Sequence, residues 1–191
     1  RDVVISFDGL SGVDGSARFG FGQTKALASV SGPIEVRLAV EQASKATFEV
    51  IARPLAGLPG TESKALASAL RSALLPSMIL TNNPRTLVQL VAQSLTPSTT
   101  TTSNRSGQLG SVNSKSFRTS PALVAAHINA ASLALLNASS IPLRGVVCAA
   151  SVGRVRRNPD NDSDSALLVV DPSEDELHSL DGIGAFAFLI S

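Results

Sequence analysis

Residues 120–137 read SPALVAAHINAASLALLN, a segment in which almost every position is apolar or small. Pro121 favours a helix start here, because the first turn of a helix does not need the N–H that proline lacks. A surface helix shows a wide polar face, and this segment has none. We therefore predict a helix over about 120–137 that is sandwiched between β-sheets or lies under another subunit.

The segments around this helix alternate between strand and helix patterns. A second helix is predicted from Glu62 to about Leu75, with Thr61 as its N-cap and apolar residues at helical spacing. Short runs of apolar and small residues predict strands at 16–21, 24–31, 47–53, 86–95, 146–155, 166–170 and 185–190. Turns are predicted at 14–15 and 22–23, where glycine adjoins a polar residue. This mixture indicates an α+β or mixed α/β domain in which the second half repeats the order of the first.

The size and composition of the chain fit one domain spanning residues 1–191. The 191 residues are 43% hydrophobic and 16% charged, which is enough to bury a core and too apolar for wholesale disorder. Segment 96–117 stands apart because 11 of its 22 residues are Ser or Thr, and we predict a surface insertion there. No apolar run approaches the roughly 20 residues that cross a bilayer, so no membrane partner is expected.

Cysteine and histidine are too sparse for a disulfide or a metal framework. The one cysteine, Cys148, lies among apolar residues and is predicted to be a small buried side chain. His127 and His178 stand alone, and we expect His127 to be a packed or partly exposed side chain of the apolar helix rather than a catalyst. Residues 1–6 lack an apolar signal region, so we expect a reducing compartment, the nucleus or the cytosol.

Charge is distributed unevenly along the chain. Residues 1–159 carry 16 basic and 7 acidic side chains, whereas residues 160–191 carry 8 acidic and no basic ones. A basic body can attract a phosphate backbone, although the same charges also serve ordinary solubility. With no Trp or Tyr, the chain is a poor fit to RNA recognition by stacked aromatics. Any RNA contact is therefore expected to be mainly with the backbone.

A run of acidic residues, 171–176, is followed by Asp181. Clustered carboxylates can hold a divalent cation, although this spacing matches no calcium loop. The same residues can form a solvated turn, with Asp171 and Pro172 ending the preceding strand and the acids lying on the turn that follows, and we favour that interpretation. The motifs of phosphate-binding loops, nucleophile elbows and zinc proteases are absent from the sequence.

Several short motifs, in their shared order, resemble the RNase PH family and in particular its branch in archaeal and eukaryotic exosomes. They are VDGSA at 13–17, FGQTK at 21–25, GP at 32–33 with Glu35, RP at 53–54, PRT at 84–86, INAAS at 128–132, LRGVVCAASVG at 143–153 and LVVDPS at 168–173. The resemblance implies an RNase PH-like fold, similar to ribosomal protein S5 domain 2, with two similar β/α halves packed in a single α+β domain.

Active members of the family use phosphate to cut RNA from its 3′ end. The resemblance places their phosphate-binding Arg on Val124 and their two acids on Leu177 and Ile183. Glu176 and Asp181 lie one and two residues away from the acid positions. Replacing a cation with an alkyl side chain removes a charge-assisted contact of roughly 1.5–3 kcal/mol. The resemblance therefore implies no catalytic residues, no metal and no cofactor.

The function that the resemblance implies is that of a non-catalytic structural subunit of the RNA exosome core ring. Such a subunit supports 3′-to-5′ RNA processing and degradation, including rRNA maturation and RNA turnover, by helping to build a channel for single-stranded RNA. The implied partners are other ring subunits, with ribosomal RNA processing protein 43 as the direct neighbour, and cap proteins. The implied location is the nucleus, including the nucleolus, and the cytoplasm.

Five basic residues are candidates for RNA contact: Lys64, Arg71, Arg154, Arg156 and Arg157. Lys64 and Arg71 can equally be plain charges on a helix surface. Two other functions remain open. One is an active 3′ exoribonuclease, phosphorolytic or metal-dependent, working alone or as a homodimer with the acids Glu174, Asp175, Glu176 and Asp181. The other is an RNA-binding module that uses the arginines at 154, 156 and 157.

Overall fold

Two β-sheets and two helices make up the fold in the computed structural model, which describes residues 1–7, 9–96, 120–155, 167–173, 176 and 180–191. The strands are β1 Val3–Ser6, β2 Gly15–Phe21, β3 Thr24–Glu35, β4 Thr47–Arg53, β5 Thr86–Ser94, β6 Val146–Val155, β7 Leu168–Val170 and β8 Leu180–Ile190. The helices are α1 Thr61–Leu74 and α2 Pro121–Ala138. The α+β class predicted from the sequence is confirmed.

The first sheet has five strands in the order β1-β2-β3-β5-β4. β2 and β3 form a tight hairpin through Gly22 and Gln23, and Gly22 has φ of 55°, a left-handed conformation that glycine adopts without strain. β5 pairs antiparallel with β3 and parallel with β4. The second sheet is antiparallel, with β6 between β7 and β8.

Helix α2 lies between the two sheets, as its sequence predicts, and packs against β2 and β3 on one side and β6 on the other. Most of its residues are buried. By length and composition α2 is apolar enough to cross a membrane, but 67% of it is buried inside the protein. Two of its polar residues bond to β6: the Asn129 amide exchanges two hydrogen bonds with the Ala149 backbone, at 2.7 and 2.8 Å, and the Val147 N–H donates to Ser132 Oγ at 3.1 Å. Among the described residues β7 pairs with residues 152–154 of β6, and these side chains bond to the β6 backbone beyond that pairing.

Helix α2 passes directly over Gly15 of the first sheet. A Cβ atom added there meets Ala134 O and Ala138 N at 2.4 Å, so only glycine fits without moving the backbone. Asp14 lies in the bend before β2, as predicted, whereas Gly15 opens the strand and is small because the helix passes directly over it. Asn137 reinforces this contact, since its side-chain amide donates to Ser16 O at 3.1 Å.

The other predicted boundaries agree closely with the structure, with four differences. Thr61 is the first helical residue rather than the cap, because the cap position is occupied by Gly60 and no side chain caps α1. β3 continues to Glu35 and β8 begins at Leu180, so both strands are longer than predicted. β1 was not predicted at all. Apart from Thr96, the predicted insertion 96–117 lies outside the described residues.

Candidate functional site

The start of α2 is the position at which the resemblance places a phosphate-binding arginine. Val124 occupies that position, is half-buried and packs against the core. Its neighbour Leu123 is 3% exposed. The helix start has no side-chain cap, and the Val124 N–H donates to Ser120 O at 3.0 Å. An alkyl side chain anchored in the core therefore stands where phosphate binding needs a cation.

A small cavity lies beside the start of α2. Its lining includes Arg53 and Glu62 from the first half of the chain and Leu123 from α2. Its volume is about 30 Å³, and it opens to solvent. The basic and acidic side chains of its lining belong to different elements, β4 and α1.

His127 is completely buried in α2 beside this cavity. Its Nδ1 lies 2.8 Å from Leu123 O, and its Nε2 lies 3.3 Å from Ser94 Oγ. The neutral ring satisfies both contacts when Nδ1–H donates to the carbonyl and Nε2 accepts from the hydroxyl. Burial lowers the pKa of His127, and the backbone hydrogen bond opposes that shift. The packed, non-catalytic interpretation of this histidine fits these contacts.

Asp171 is the centre of a polar cluster that joins the two sheets. Arg1 Nε donates to Asp171 Oδ2 at 2.7 Å, and Arg1 Nη2 donates to Asp171 Oδ1. The same guanidinium donates to Pro172 O at 3.1 Å and to Thr24 Oγ1 at 3.4 Å. Ser151 Oγ donates to Asp171 Oδ1 at 3.3 Å. β7 ends at Val170, directly before Asp171 and Pro172 as predicted, but the Asp171 side chain is 11% exposed and ion-paired rather than solvated.

The other acids and the predicted acid positions are only partly described. Glu176 is exposed, and one of its carboxylate oxygens accepts the Ser173 N–H at 2.7 Å, which closes a local turn. Ile183 lies half-buried in β8. Among the residues that the structure describes, no three His, Cys, Asp or Glu side chains group as metal ligands do. The remaining candidates, Glu174, Asp175 and Leu177, the side chain of Asp181, and His178 lie outside the described residues.

The basic candidates lie on different elements of the fold. Lys64 and Arg71 are exposed on α1, which packs against β4 in the first sheet. Arg154 is exposed on β6 in the second sheet, opposite Leu168 and Gly182. Arg156 and Arg157 lie outside the described residues. Arg71 also lines a groove beside β4.

Cys148 is exposed, so the prediction that it is buried is wrong. Strand alternation explains the difference: Val147 and Ala149 point towards α2 and are buried, which leaves Cys148 on the opposite face of β6. Its partner across the ladder is Phe188, which is 63% exposed. The sequence does not indicate which residues of β6 face α2, because both faces of the strand carry apolar residues.

Cys148 belongs to an apolar outer face of the second sheet that sequence reasoning missed. This face includes the exposed side chains of Leu168, Val170, Phe186, Phe188 and Ile190. A second exposed apolar group, with residues 51–59% exposed, is Val3, Val4, Ile5 and Phe7 on and after β1. Contiguous exposed apolar patches of several hundred Å² mark contact surfaces in proteins.

Comparison with known families decides the relationship. Residues 1–140 match the family model described as the 3′ exoribonuclease family, domain 1. This chain belongs to the 3′ exoribonuclease family. The RNase PH resemblance and the RNase PH-like fold predicted from the sequence are confirmed.

Two curated relatives of this 3′ exoribonuclease family member carry the same name, that of an exosome complex component. It is 33% identical over 140 residues to "Exosome complex component rrp46" of Schizosaccharomyces pombe, covering 73% of this chain and 52% of that protein. It is 31% identical over 168 residues to "Exosome complex component RRP46" of Saccharomyces cerevisiae, covering 88% and 65%. The chain thus spans between half and two thirds of the length of these two relatives.

Two solved structures superpose on most of the chain. A crystal structure of Rrp46 from rice, Oryza sativa, is 26% identical with a TM-score of 0.74, covering 99% of this chain and 74% of that one. An archaeal exosome core structure is 17% identical with a TM-score of 0.64, covering 98% and 70%. The archaeal match shows the shared fold alone.

Proposed function

We propose that this chain is a non-catalytic structural subunit of an exosome core ring. In this role it supports 3′-to-5′ RNA processing and degradation, including rRNA maturation and RNA turnover, by helping to form the channel that single-stranded RNA enters. The names of its relatives support the proposal. The proposed location is the nucleus, with the nucleolus, and the cytoplasm.

One observation carries the non-catalytic part of the proposal: the environment of Val124. This side chain is packed against the core at the start of α2, beside a cavity of about 30 Å³. Attack by phosphate on a phosphodiester brings two anions together, so an enzyme needs cations or N–H donors positioned at that point. Val124 supplies neither. We propose that the chain has no catalytic residues, metal or cofactor of its own.

The exposed apolar surfaces support the assembly part of the proposal. Five side chains on the outer face of the second sheet are between 51% and 68% exposed. Leaving such residues in water forfeits most of the roughly 1.5–3 kcal/mol that burial of each would provide. We propose that other ring subunits, including ribosomal RNA processing protein 43 as the direct neighbour, and cap proteins cover surfaces of this chain. Of the five basic candidates named above, Lys64, Arg154, Arg156 and Arg157 are proposed to face RNA in the assembled channel, whereas Arg71 lines the groove beside β4.

Reconstitution tests the subunit role. The chain is co-expressed with the other ring subunits of its own organism, and the products are sized by native mass spectrometry. We expect a complete ring only when this chain is present, and assembly of a complete ring without it would contradict the proposal. Phe188→Glu should reduce incorporation, whereas Lys45→Glu, at an exposed polar position, is the matched control.

A nuclease assay tests the non-catalytic role separately. The purified chain is incubated with a 5′-labelled oligoadenylate, with and without phosphate and magnesium, beside an active phosphorolytic exoribonuclease. We expect no shortening of the RNA under any condition. Membership of a 3′ exoribonuclease family favours the alternative, an active enzyme working alone or as a homodimer. Shortening that disappears in Glu176→Ala/Asp181→Ala would establish that alternative.

A further inference from the structure

Strand β4 is an open edge of the first sheet. Its seven residues pair with β5 in an unbroken parallel register from Thr47 to Arg53. On its other side, no strand pairs with it in the part of the chain that the structure describes. An edge strand of this kind presents backbone N–H and C=O groups that can accept a further strand. β4 has neither a proline nor a bulge that would prevent such pairing.

A groove of about 690 Å³ follows this edge between β4 and α1. Its walls include apolar side chains of both elements and of the loop before β4, among them Val50, Ala67 and Val40. Val40 is 52% exposed, so an incoming apolar side chain can pack against it. The groove therefore offers apolar contacts to side chains of an extended segment that pairs with β4.

The charge of the groove is positive. Arg37 and Arg71 line it, and both are exposed. Neither arginine forms a salt bridge with any residue that the structure describes. The acid in the lining, Glu49, accepts a hydrogen bond from Gln89 at 3.3 Å. The two guanidinium groups without a salt bridge outnumber the one carboxylate, which already accepts a hydrogen bond. The groove therefore favours an acidic ligand.

The geometry favours a peptide over RNA as that occupant. A peptide can pair its backbone with the β4 edge, whereas a nucleic acid has no matching ladder of amide groups. RNA-binding grooves combine phosphate contacts with stacking of bases on aromatic side chains, and the groove's aromatic side chain, Phe48, is 2% exposed. Phe48 therefore offers no surface on which a base can stack.

We propose that the β4 edge and its arginine-lined groove bind an extended acidic segment of another protein, which adds a strand to the first sheet. Backbone hydrogen bonds to β4 provide the pairing, and Arg37 and Arg71 select acidic side chains. This recognition surface goes beyond the ring-subunit role and does not involve the start of α2.

The test uses the full chain and a fluorescein-labelled peptide of about eight residues that alternates Glu and Val, with binding followed by fluorescence anisotropy. We expect saturable binding that is weakened about tenfold in Arg37→Ala/Arg71→Ala. Lys64→Ala is the matched control, because Lys64 is exposed on the same helix without lining the groove. Thermal unfolding of each variant checks that the fold is retained.

Two further probes separate strand addition from simple charge attraction. The same peptide with alternate backbone nitrogens methylated should bind at least tenfold more weakly, because it cannot pair with an edge strand. Equal binding of both peptides would overturn the proposal, as would no binding of the unmodified one. Binding of an oligoadenylate that is lost in Arg37→Ala/Arg71→Ala, with no peptide binding, would instead assign the groove to RNA. None of these outcomes depends on ring assembly or nuclease activity.

Discussion

Asp171→Asn should destabilise the protein by removing the ion pair that joins the two sheets. The native carboxylate accepts hydrogen bonds from Arg1 and Ser151, and Arg1 also contacts Thr24 and Pro172. Asn keeps the side-chain shape and tolerates the left-handed backbone at this position, where φ is 53°. The substitution therefore removes the charge while the turn is preserved.

The magnitude follows from burial. A hydrogen bond to a charged group contributes about 1.5–3 kcal/mol, and an exposed ion pair about 0.2–1 kcal/mol. The two side chains are 21% and 11% exposed, so the pair is closer to the buried case. We expect Asp171→Asn to lower the free energy of unfolding by about 2 kcal/mol. Asp171→Ala should cost about 1 kcal/mol more, because alanine is strained at positive φ.

Urea unfolding followed by circular dichroism measures these differences at neutral pH. Glu176→Gln is the matched control: Glu176 is exposed and bonds locally, so its loss should change stability by less than about 0.5 kcal/mol. A double-mutant cycle with Arg1→Ala isolates the pairwise coupling, which we expect to be about 1–2 kcal/mol. A coupling near zero, or an Asp171→Asn variant as stable as the native chain, would refute the reasoning.

Three other predictions follow from buried or exposed positions. Gly15→Ala should destabilise the fold by about 1–3 kcal/mol in urea unfolding, because its Cβ would overlap the α2 backbone, whereas Gly182→Ala, which meets nothing within 4 Å, should not. Because burial lowers the pKa of His127 in the folded chain, the unfolded chain binds a proton at this histidine at a higher pH than the folded chain does. Stability should therefore fall as pH drops through about 6.5, by at most about 1.4 kcal/mol per unit, and His127→Gln should flatten that slope. Phe188→Glu should leave the isolated chain folded in thermal unfolding, since Phe188 is 63% exposed. An unchanged pH slope in His127→Gln, equal effects of the two alanine variants, or unfolding of Phe188→Glu would each contradict the corresponding argument.

Elements with strong local patterns could be predicted from the sequence. The all-round apolar character of α2 indicated both the helix and its place between sheets. β4 and β6 were predicted with the observed bounds because each is a run of strand-forming residues next to clear breaks. β1 was missed although Val3, Val4 and Ile5 have high strand propensity, because a run of four residues is short and its pairing with β2 is not visible in the sequence. The beginning of β8 was missed because Asp181, Gly182 and Gly184 have low strand propensity, and only pairing with β6 holds them in the sheet.

The site was less predictable than the fold because its contacts span long distances in sequence. Arg1 and Asp171 are 170 residues apart, and no local motif connects them. Cys148 was assigned to the wrong face because both parities of its strand are apolar. In contrast, the family motif alone placed Val124 at the position of the phosphate-binding arginine. Its packing against the core then showed that an anchored alkyl side chain occupies this position.

The position of α2 over the β2–β3 hairpin also bears on how the chain is made. The inner face of that hairpin consists of buried residues such as Ala17, Phe19 and Ala28, and α2 covers it. Synthesis proceeds from the N-terminus, so about a hundred residues are translated after the hairpin before its cover exists. A nascent or truncated chain that stops before residue 121 therefore exposes an apolar sheet face. Such a product is a natural substrate for chaperones and proteases until the helix arrives.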